Sequence, residues 1–250
     1  MHPILFKIGP ITIYTYGFFI FLGVLSGYLV SKKRAQEVGI KKEFFSNIFF
    51  WTLIIGFLGA RIFYIFVNWQ IFIKAPLTIA LSRSGFVFYG GVVFGLLSIF
   101  VFAKKYKIEF LKITDIFALI IPLAHSLGRL GCFFYGCCYG LPTQSFLGIK
   151  FPIESPAGRL ETTVIPTQLI SAGFLFILFL FLFTFRNKIN KIGSLSSYYL
   201  LIYSSFRFII EFFRGDPRGF FLIFSTSQWI SLILIFLAII ILGKKRSNYN

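Results

Sequence analysis

Residues 125–140 read HSLGRLGCFFYGCCYG, and the rest of the chain is best understood outward from them. They place Arg129 near the end of an apolar run that begins at Ile116. An arginine at the centre of a membrane helix costs about 3 kcal/mol, so it persists where it pairs, lines a wet cavity or binds an anion. Glycines at 128, 131, 136 and 140 let backbones or a ligand come close and permit a turn out of the helix. The stretch predicts a helix end that opens into a site.

Composition then sets the class. Hydrophobic residues make up 57% of the 250 residues, charged residues 13%, and 37 residues are phenylalanine, which no water-soluble fold could hide. The apolar runs lie at about residues 13–31, 45–67, 86–103, 116–134, 169–185, 195–213 and 221–242. Each is near the roughly 20 residues that cross a bilayer core as helix. The expected fold is therefore an all-α, polytopic integral membrane protein of seven transmembrane helices. Residues 1–250 read as one domain, with no repeat and no low-complexity linker.

The net charge of +17 is not a nucleic-acid footprint, because the basic residues gather in short clusters between apolar runs. Lys32, Lys33, Arg34, Lys41 and Lys42 form the first cluster, and Lys104, Lys105, Lys107 and Lys112 the second. Arg186, Lys188 and Lys191 form the third, and Lys244, Lys245 and Arg246 the last. These connections alternate along the chain and are expected to be cytoplasmic. Lys7, Lys74, Arg83, Lys150, Arg159, Arg214 and Arg218 are sparser and fall on the other side. The N-terminus is thus expected outside and the C-terminus in the cytoplasm. The first run lacks a basic n-region and a small-residue cleavage site, so it is not expected to be a cleaved signal peptide. The connection at 141–168 is long enough to suggest a functional loop.

Within the apolar runs the charge inventory is short: Arg61, Arg129, Arg207 and one carboxylate, Glu211. Arg207 and Glu211 stand four apart on one helical face and are expected to pair. That leaves Arg61 and Arg129 without an acidic partner, a deficit that an anion would fill. Guanidinium binds phosphate oxygens in bidentate fashion, so a phospholipid head group suits the site. The residues alone leave an enzyme and a transporter both open.

An ordered set of motifs narrows this. Tyr16-Gly17, Gly59-Ala60-Arg61, Gly90-Gly91, Gly128-Arg129-Leu130-Gly131, Pro166-Thr167-Gln168-Leu169 and the run from Arg207 to Arg214 together resemble the phosphatidylglycerol:prolipoprotein diacylglyceryl transferase family. The resemblance spans nearly the whole chain. It implies a bacterial inner-membrane enzyme, probed by two substrates: phosphatidylglycerol and a preprolipoprotein signal peptide with a lipobox cysteine. The implied reaction moves the diacylglyceryl group onto the cysteine thiol, forming a thioether and releasing glycerol phosphate. It implies no cofactor and no metal, a membrane bilayer as surroundings, and we expect a monomer. A relative that binds or moves an anionic phospholipid without transferring it is the competing expectation.

By the same resemblance Arg129 and Arg207 match the arginines that hold the phosphate ester, and Glu211 matches a carboxylate that orients Arg207 or accepts a proton. Tyr16 matches a tyrosine near the head group and Gly140 the glycine after the signature; with Gly90 and Gly91 they are expected to bind substrate, and Arg61 either binds lipid or serves structure. The chain departs from the pattern at Tyr89, where better-known members carry histidine, at Cys132 and Cys137, where they carry asparagine and glutamate, and at Ile165. His125, one turn before Arg129, is a candidate relocated base or a packing histidine. Arg214 and Arg218, beside Asp216, are expected to be exposed. The three cysteines read as C-x4-C-C: zinc is not expected without a fourth ligand, and small apolar packing is preferred to a disulfide.

Overall fold

The computed structural model describes residues 3–80, 85–216, 219–244 and 248–249. Arg83, Arg218, Lys245 and Arg246 lie outside the described residues. The chain opens with a hairpin, β1 (Ile4–Ile8) against β2 (Ile11–Tyr14), in which Ile8 pairs with Ile11 across Gly9 at φ 53°. Only a residue tolerant of positive φ fits there, and glycine does so without steric cost. The helices follow as α1 (Thr15–Glu37), α2 (Lys42–Val67), the short α3 (Trp69–Lys74) and α4 (Pro76–Ala80), α5 (Phe88–Tyr106) and α6 (Phe110–Tyr135). A small ladder, β3 (Ile149–Lys150) with β4 (Thr163–Val164), then precedes α7 (Thr167–Phe185) and α8 (Ser194–Ile210). A second short ladder, β5 (Phe220–Phe221) with β6 (Phe224–Ser225), leads into α9 (Thr226–Gly243).

The molecule is mostly helical, and among the described residues six helices, α1, α2, α5, α6, α7 and α9, are long and apolar enough to cross a membrane. Their outward faces carry Phe57, Val101, Ile177 and Phe236, all exposed, as lipid-facing surfaces require. The apolar run at 195–213 behaves differently: α8 has 17 residues and passes into a 3-10 turn, Glu211–Phe213. The three two-stranded ladders are additions to the all-helical expectation.

Two compact units divide the chain. The first comprises Met1–Ser31 and Asp115–Asn250, the second Lys32–Thr114. In the second unit α2 packs along α5 through glycines. A Cβ at Gly90 would stand 2.6 Å from the Gly59 carbonyl oxygen, and one at Gly91 3.2 Å from that of Gly56. Small residues give membrane helices their closest approach, where dispersion replaces the hydrophobic effect.

The first unit uses the same device for α1 against α6. Gly23 backs onto the Ala124 backbone, Gly27 onto Ile120, and Gly131 onto Tyr16. Ser126 donates to the Ala172 carbonyl at 2.8 Å, joining α6 to α7, and Phe174 stacks on Phe206 at 3.8 Å, joining α7 to α8. Asp115, 1% exposed, receives four hydrogen bonds: from the Gly193 and Ser196 amides, the Ser196 hydroxyl and the Tyr249 hydroxyl. It caps the N-terminus of α8 from α6, where the helix dipole favours an anion.

Candidate active site

Within the first unit, α6 and α8 carry the charged groups toward one another. Arg129 Nε donates to His125 Nε2 at 3.1 Å, one turn back along α6. The bond requires the neutral tautomer of His125 with its proton on Nδ1. His125 also stacks obliquely against Tyr203 of α8, with ring centroids 5.6 Å apart. The imidazole lone pair is thus engaged in aiming Arg129. Among the described residues no carboxylate pairs with Arg129, which fits the deficit read from the sequence.

Arg207 is in a different state. Its Nη1 meets Glu211 Oε2 at 2.7 Å, and its Nη2 donates to Ser227 Oγ at 3.0 Å. The i,i+4 pairing expected from the sequence is present, and both side chains are largely buried. Ser227 was not singled out by sequence reading. Its signal was nearby: Ser225-x-x-Gln228 is a capping box, which fixes the start of α9 and turns Ser227 toward α8. Arg207 is close enough to Arg129 and to Arg214 to feel both charges.

Arg214 corrects an expectation. It is buried, with a side chain only 2% exposed, and its Nε and Nη2 donate to Asp216 Oδ1 and Oδ2 at 2.7 and 2.9 Å. The reason is a backbone zipper at the end of the 3-10 turn. Leu141 donates to the Phe213 carbonyl at 2.9 Å, Gly215 to the Tyr139 carbonyl at 3.1 Å, and Gly140 to the Ile165 carbonyl at 2.9 Å. Three segments therefore lock together, and the guanidinium is drawn in with its fork–fork carboxylate partner. Gly140 sits at the crossing, where a Cβ would come within 2.7 Å of the Phe213 and Ile165 carbonyl oxygens. Its glycine is explained by that crowding.

Tyr16 lies at the start of α1 against Gly131, exposed over much of its ring. It is close enough to Arg129 and the cysteines to feel their charges. Cys132, Cys137 and Cys138 are all free thiols. Hydrogen bonds within the cluster, from Cys132 first and Cys137 next, hold the Cys138 thiol well below the usual thiol range, and the Arg214 and Arg129 charges add to this. Cys137 is pushed up by its contacts with Cys132 first and Cys138 next, and by burial.

Four other expected site residues lie in the second unit. Tyr89 is exposed on α5 beside Phe88, and Gly90 and Gly91 back onto α2. Arg61 donates to the Gly85 carbonyl at 2.8 Å and the Ile79 carbonyl at 2.6 Å, with its guanidinium over Tyr64 and Phe86. It ties α2 to the end of α4, which is the structural alternative weighed above.

Apolar helices of membrane-crossing length with guanidiniums among them define a class of helical membrane proteins. The comparisons narrow the class. A family model described as prolipoprotein diacylglyceryl transferase matches residues 3–243. The chain belongs to that family. A Clostridium tetani relative is 37% identical over 98% of both chains. One from Clostridium perfringens is 39% identical over 94% of this chain and 92% of its own, and one from Fervidobacterium nodosum is 34% identical over 98% and 87%. Each is named a phosphatidylglycerol-prolipoprotein diacylglyceryl transferase.

Proposed function

We propose that this chain transfers the diacylglyceryl group of phosphatidylglycerol to the lipobox cysteine of preprolipoproteins, the first step of bacterial lipoprotein maturation. The observation that carries the reading is the full-length family match together with Arg129, a guanidinium held by a neutral imidazole with no carboxylate on it among the described residues. In the reaction the substrate thiolate attacks the glycerol carbon that bears the phosphate ester. A carbon–sulfur bond forms, the carbon–oxygen bond breaks, and its electron pair leaves on glycerol phosphate. Negative charge grows on the departing phosphate, where a preorganised cation acts most strongly.

Arg129 is the group suited to receive that phosphate, and His125 positions it. Arg207, held by Glu211 and Ser227, adds positive potential from α8 and leaves Glu211 as an acceptor for the thiol proton. Tyr16 lies near Arg129 and suits the head group. Gly90 and Gly91 act by keeping α5 close against α2, and Tyr89 stands exposed on α5 beside them. Gly140 and Arg61 act by holding backbone in place. We place the enzyme in the bacterial inner membrane as a monomer of seven spans, counting α8 with its 3-10 turn, with residues 1–250 as one transferase domain. Its N-terminus lies outside and its C-terminus in the cytoplasm. The loop at 141–168 then faces the outer leaflet, where the lipobox peptide arrives.

The test is replacement in a bacterium whose own transferase can be switched off. The chain restores growth and diacylglyceryl-modified lipoproteins, and the Arg129→Gln variant, made to the same level, leaves unmodified precursors. Accumulated precursors with the unaltered chain would contradict the proposal and favour a lipid-binding relative.

A further inference from the structure

Three thiols converge at the C-terminal end of α6, and the backbone brings them there. The helix closes in a Schellman motif: Cys137 N–H donates to the Cys132 carbonyl at 3.2 Å and Gly136 N–H to the Phe133 carbonyl at 3.1 Å, with Gly136 at φ 78°. In that motif the residues at the two ends of the outer ring face one another, which is the contact a C-x4-C spacing provides. Cys138 takes φ 63°, uncommon for a residue other than glycine, and swings the third thiol to the same place. The three Sγ atoms all lie within 4.8 Å of one another. A packing role alone would be filled by alanine, without a third sulfur in a strained left-handed residue.

The turn is fastened from behind. Thr167 Oγ1 donates to the Cys138 carbonyl at 2.8 Å, Gln168 Nε2 to the Cys137 carbonyl at 2.7 Å, and the Ala157 amide to the Gly136 carbonyl at 2.9 Å. Gln168 is fully buried, and its Oε1 has no hydrogen-bond partner among the described residues. Buried polar atoms are normally satisfied, so an orphaned acceptor on the amide that grips Cys137 points to a missing occupant. Arg214 and Arg129 both lie within electrostatic reach of Cys138, and Arg129 within reach of Cys132.

We propose that Cys132, Cys137 and Cys138 form a three-thiolate site for a thiophilic divalent cation of the zinc class, with the fourth coordination position open. Zinc–sulfur bonds of about 2.3 Å put tetrahedral sulfurs about 3.8 Å apart, a spacing this cluster reaches by small side-chain rotations. On binding, the thiols that still carry a proton give it up to solvent, three sulfur–metal bonds form, and nothing is oxidised or reduced. Three thiolates and a divalent cation leave one net negative charge, which Arg129 and Arg214 offset. Spacing alone argued against zinc for want of a fourth ligand; three protein ligands with an open position is the arrangement of sites that take water or an outside thiol. The inference stands apart from the transferase reading.

The test uses the full chain in detergent, reduced and stripped of metal, titrated with cobalt(II) and then zinc(II). The reduced protein takes up one cobalt per chain with a thiolate-to-cobalt charge-transfer band, and zinc removes the band. Cys132→Ser, Cys137→Ser and Cys138→Ser each weaken binding at least 10-fold. No charge-transfer band in the reduced unaltered protein would overturn the proposal, whatever the variants do. Equal metal uptake by the triple serine variant, matched to the unaltered chain in thermal unfolding, would also overturn it.

Discussion

Arg129 and Arg207 carry the same guanidinium in opposite electrostatic settings, and substitution should separate them. Arg129 rests on a neutral ring, so Arg129→Gln removes charge that no buried carboxylate needs. The expected result is a loss of about 100-fold or more in transfer rate, the size seen when one donor to a developing anion is removed, with little change in Tm. Arg207→Gln instead strands Glu211, which is buried, and breaking such a pair from one side costs about 3–5 kcal/mol. Its Tm in detergent should fall along with activity. Equal Tm losses in both variants would contradict the distinction. Cysteine chemistry gives a second check at this scale. In metal-free protein at pH 7, iodoacetamide should modify Cys138 before Cys137, because the lowered thiol is the one already ionised. Labelling in the reverse order, read by peptide mass spectrometry, would count against the ordering.

Legibility at this scale followed local contrast. Arg129 stood out because a charge in an apolar run has few explanations, and the Arg207–Glu211 pair followed from helical spacing. Asp115 was missed because it sits one residue ahead of its apolar run, where it looked like a loop charge. Its meaning depends on Gly193, Ser196 and Tyr249, which only folding brings to it. Arg214 was read as exposed because the zipper that buries it joins segments far apart in sequence.

Among elements, the glycine contacts govern how closely helices approach. Gly90→Ala puts a methyl 2.6 Å from a backbone oxygen on α2, which has no rotamer by which to yield. The helices must part, at a cost of about 1–3 kcal/mol for overpacking. A lowered Tm with transfer retained at low temperature would assign Gly90 to packing; an unchanged Tm with activity lost would assign it to the head group. The apolar periodicity located every long helix, with ends shifted by a few residues, because hydrophobic runs of this length have one stable solution in lipid. The hairpin β1–β2 escaped notice, although its Gly9-Pro10 turn between alternating apolar residues was a usable signal. The 3-10 turn after α8 had none, since Phe212 and Phe213 continue the apolar run.

For the whole molecule, the basic clusters in alternate connections predict orientation. Reporter fusions should find the C-terminus and the connection after α1 in the cytoplasm, and the connection at 141–168 outside. A reporter active outside at the C-terminus would require one span fewer, with α8 not crossing. The tail itself is fastened: Tyr249 donates to Asp115 at 2.7 Å, and Asn190 and Tyr249 share a backbone bond. Tyr249→Phe should cost about 1.5–3 kcal/mol, the worth of a hydrogen bond to a charged group, read as a Tm shift with transfer unchanged.

Arg129 as the phosphate site of the proposed diacylglyceryl transfer is open to one direct measurement. Purified protein in liposomes of phosphatidylglycerol, given a lipobox peptide, tests it by the mass of the peptide and the glycerol phosphate released. The expected result is one diacylglyceryl group added per glycerol phosphate, dependent on the peptide cysteine and nearly absent with Arg129→Gln. Undiminished transfer by Arg129→Gln, or folded and lipid-bound unaltered protein that adds no mass to the peptide, would contradict it.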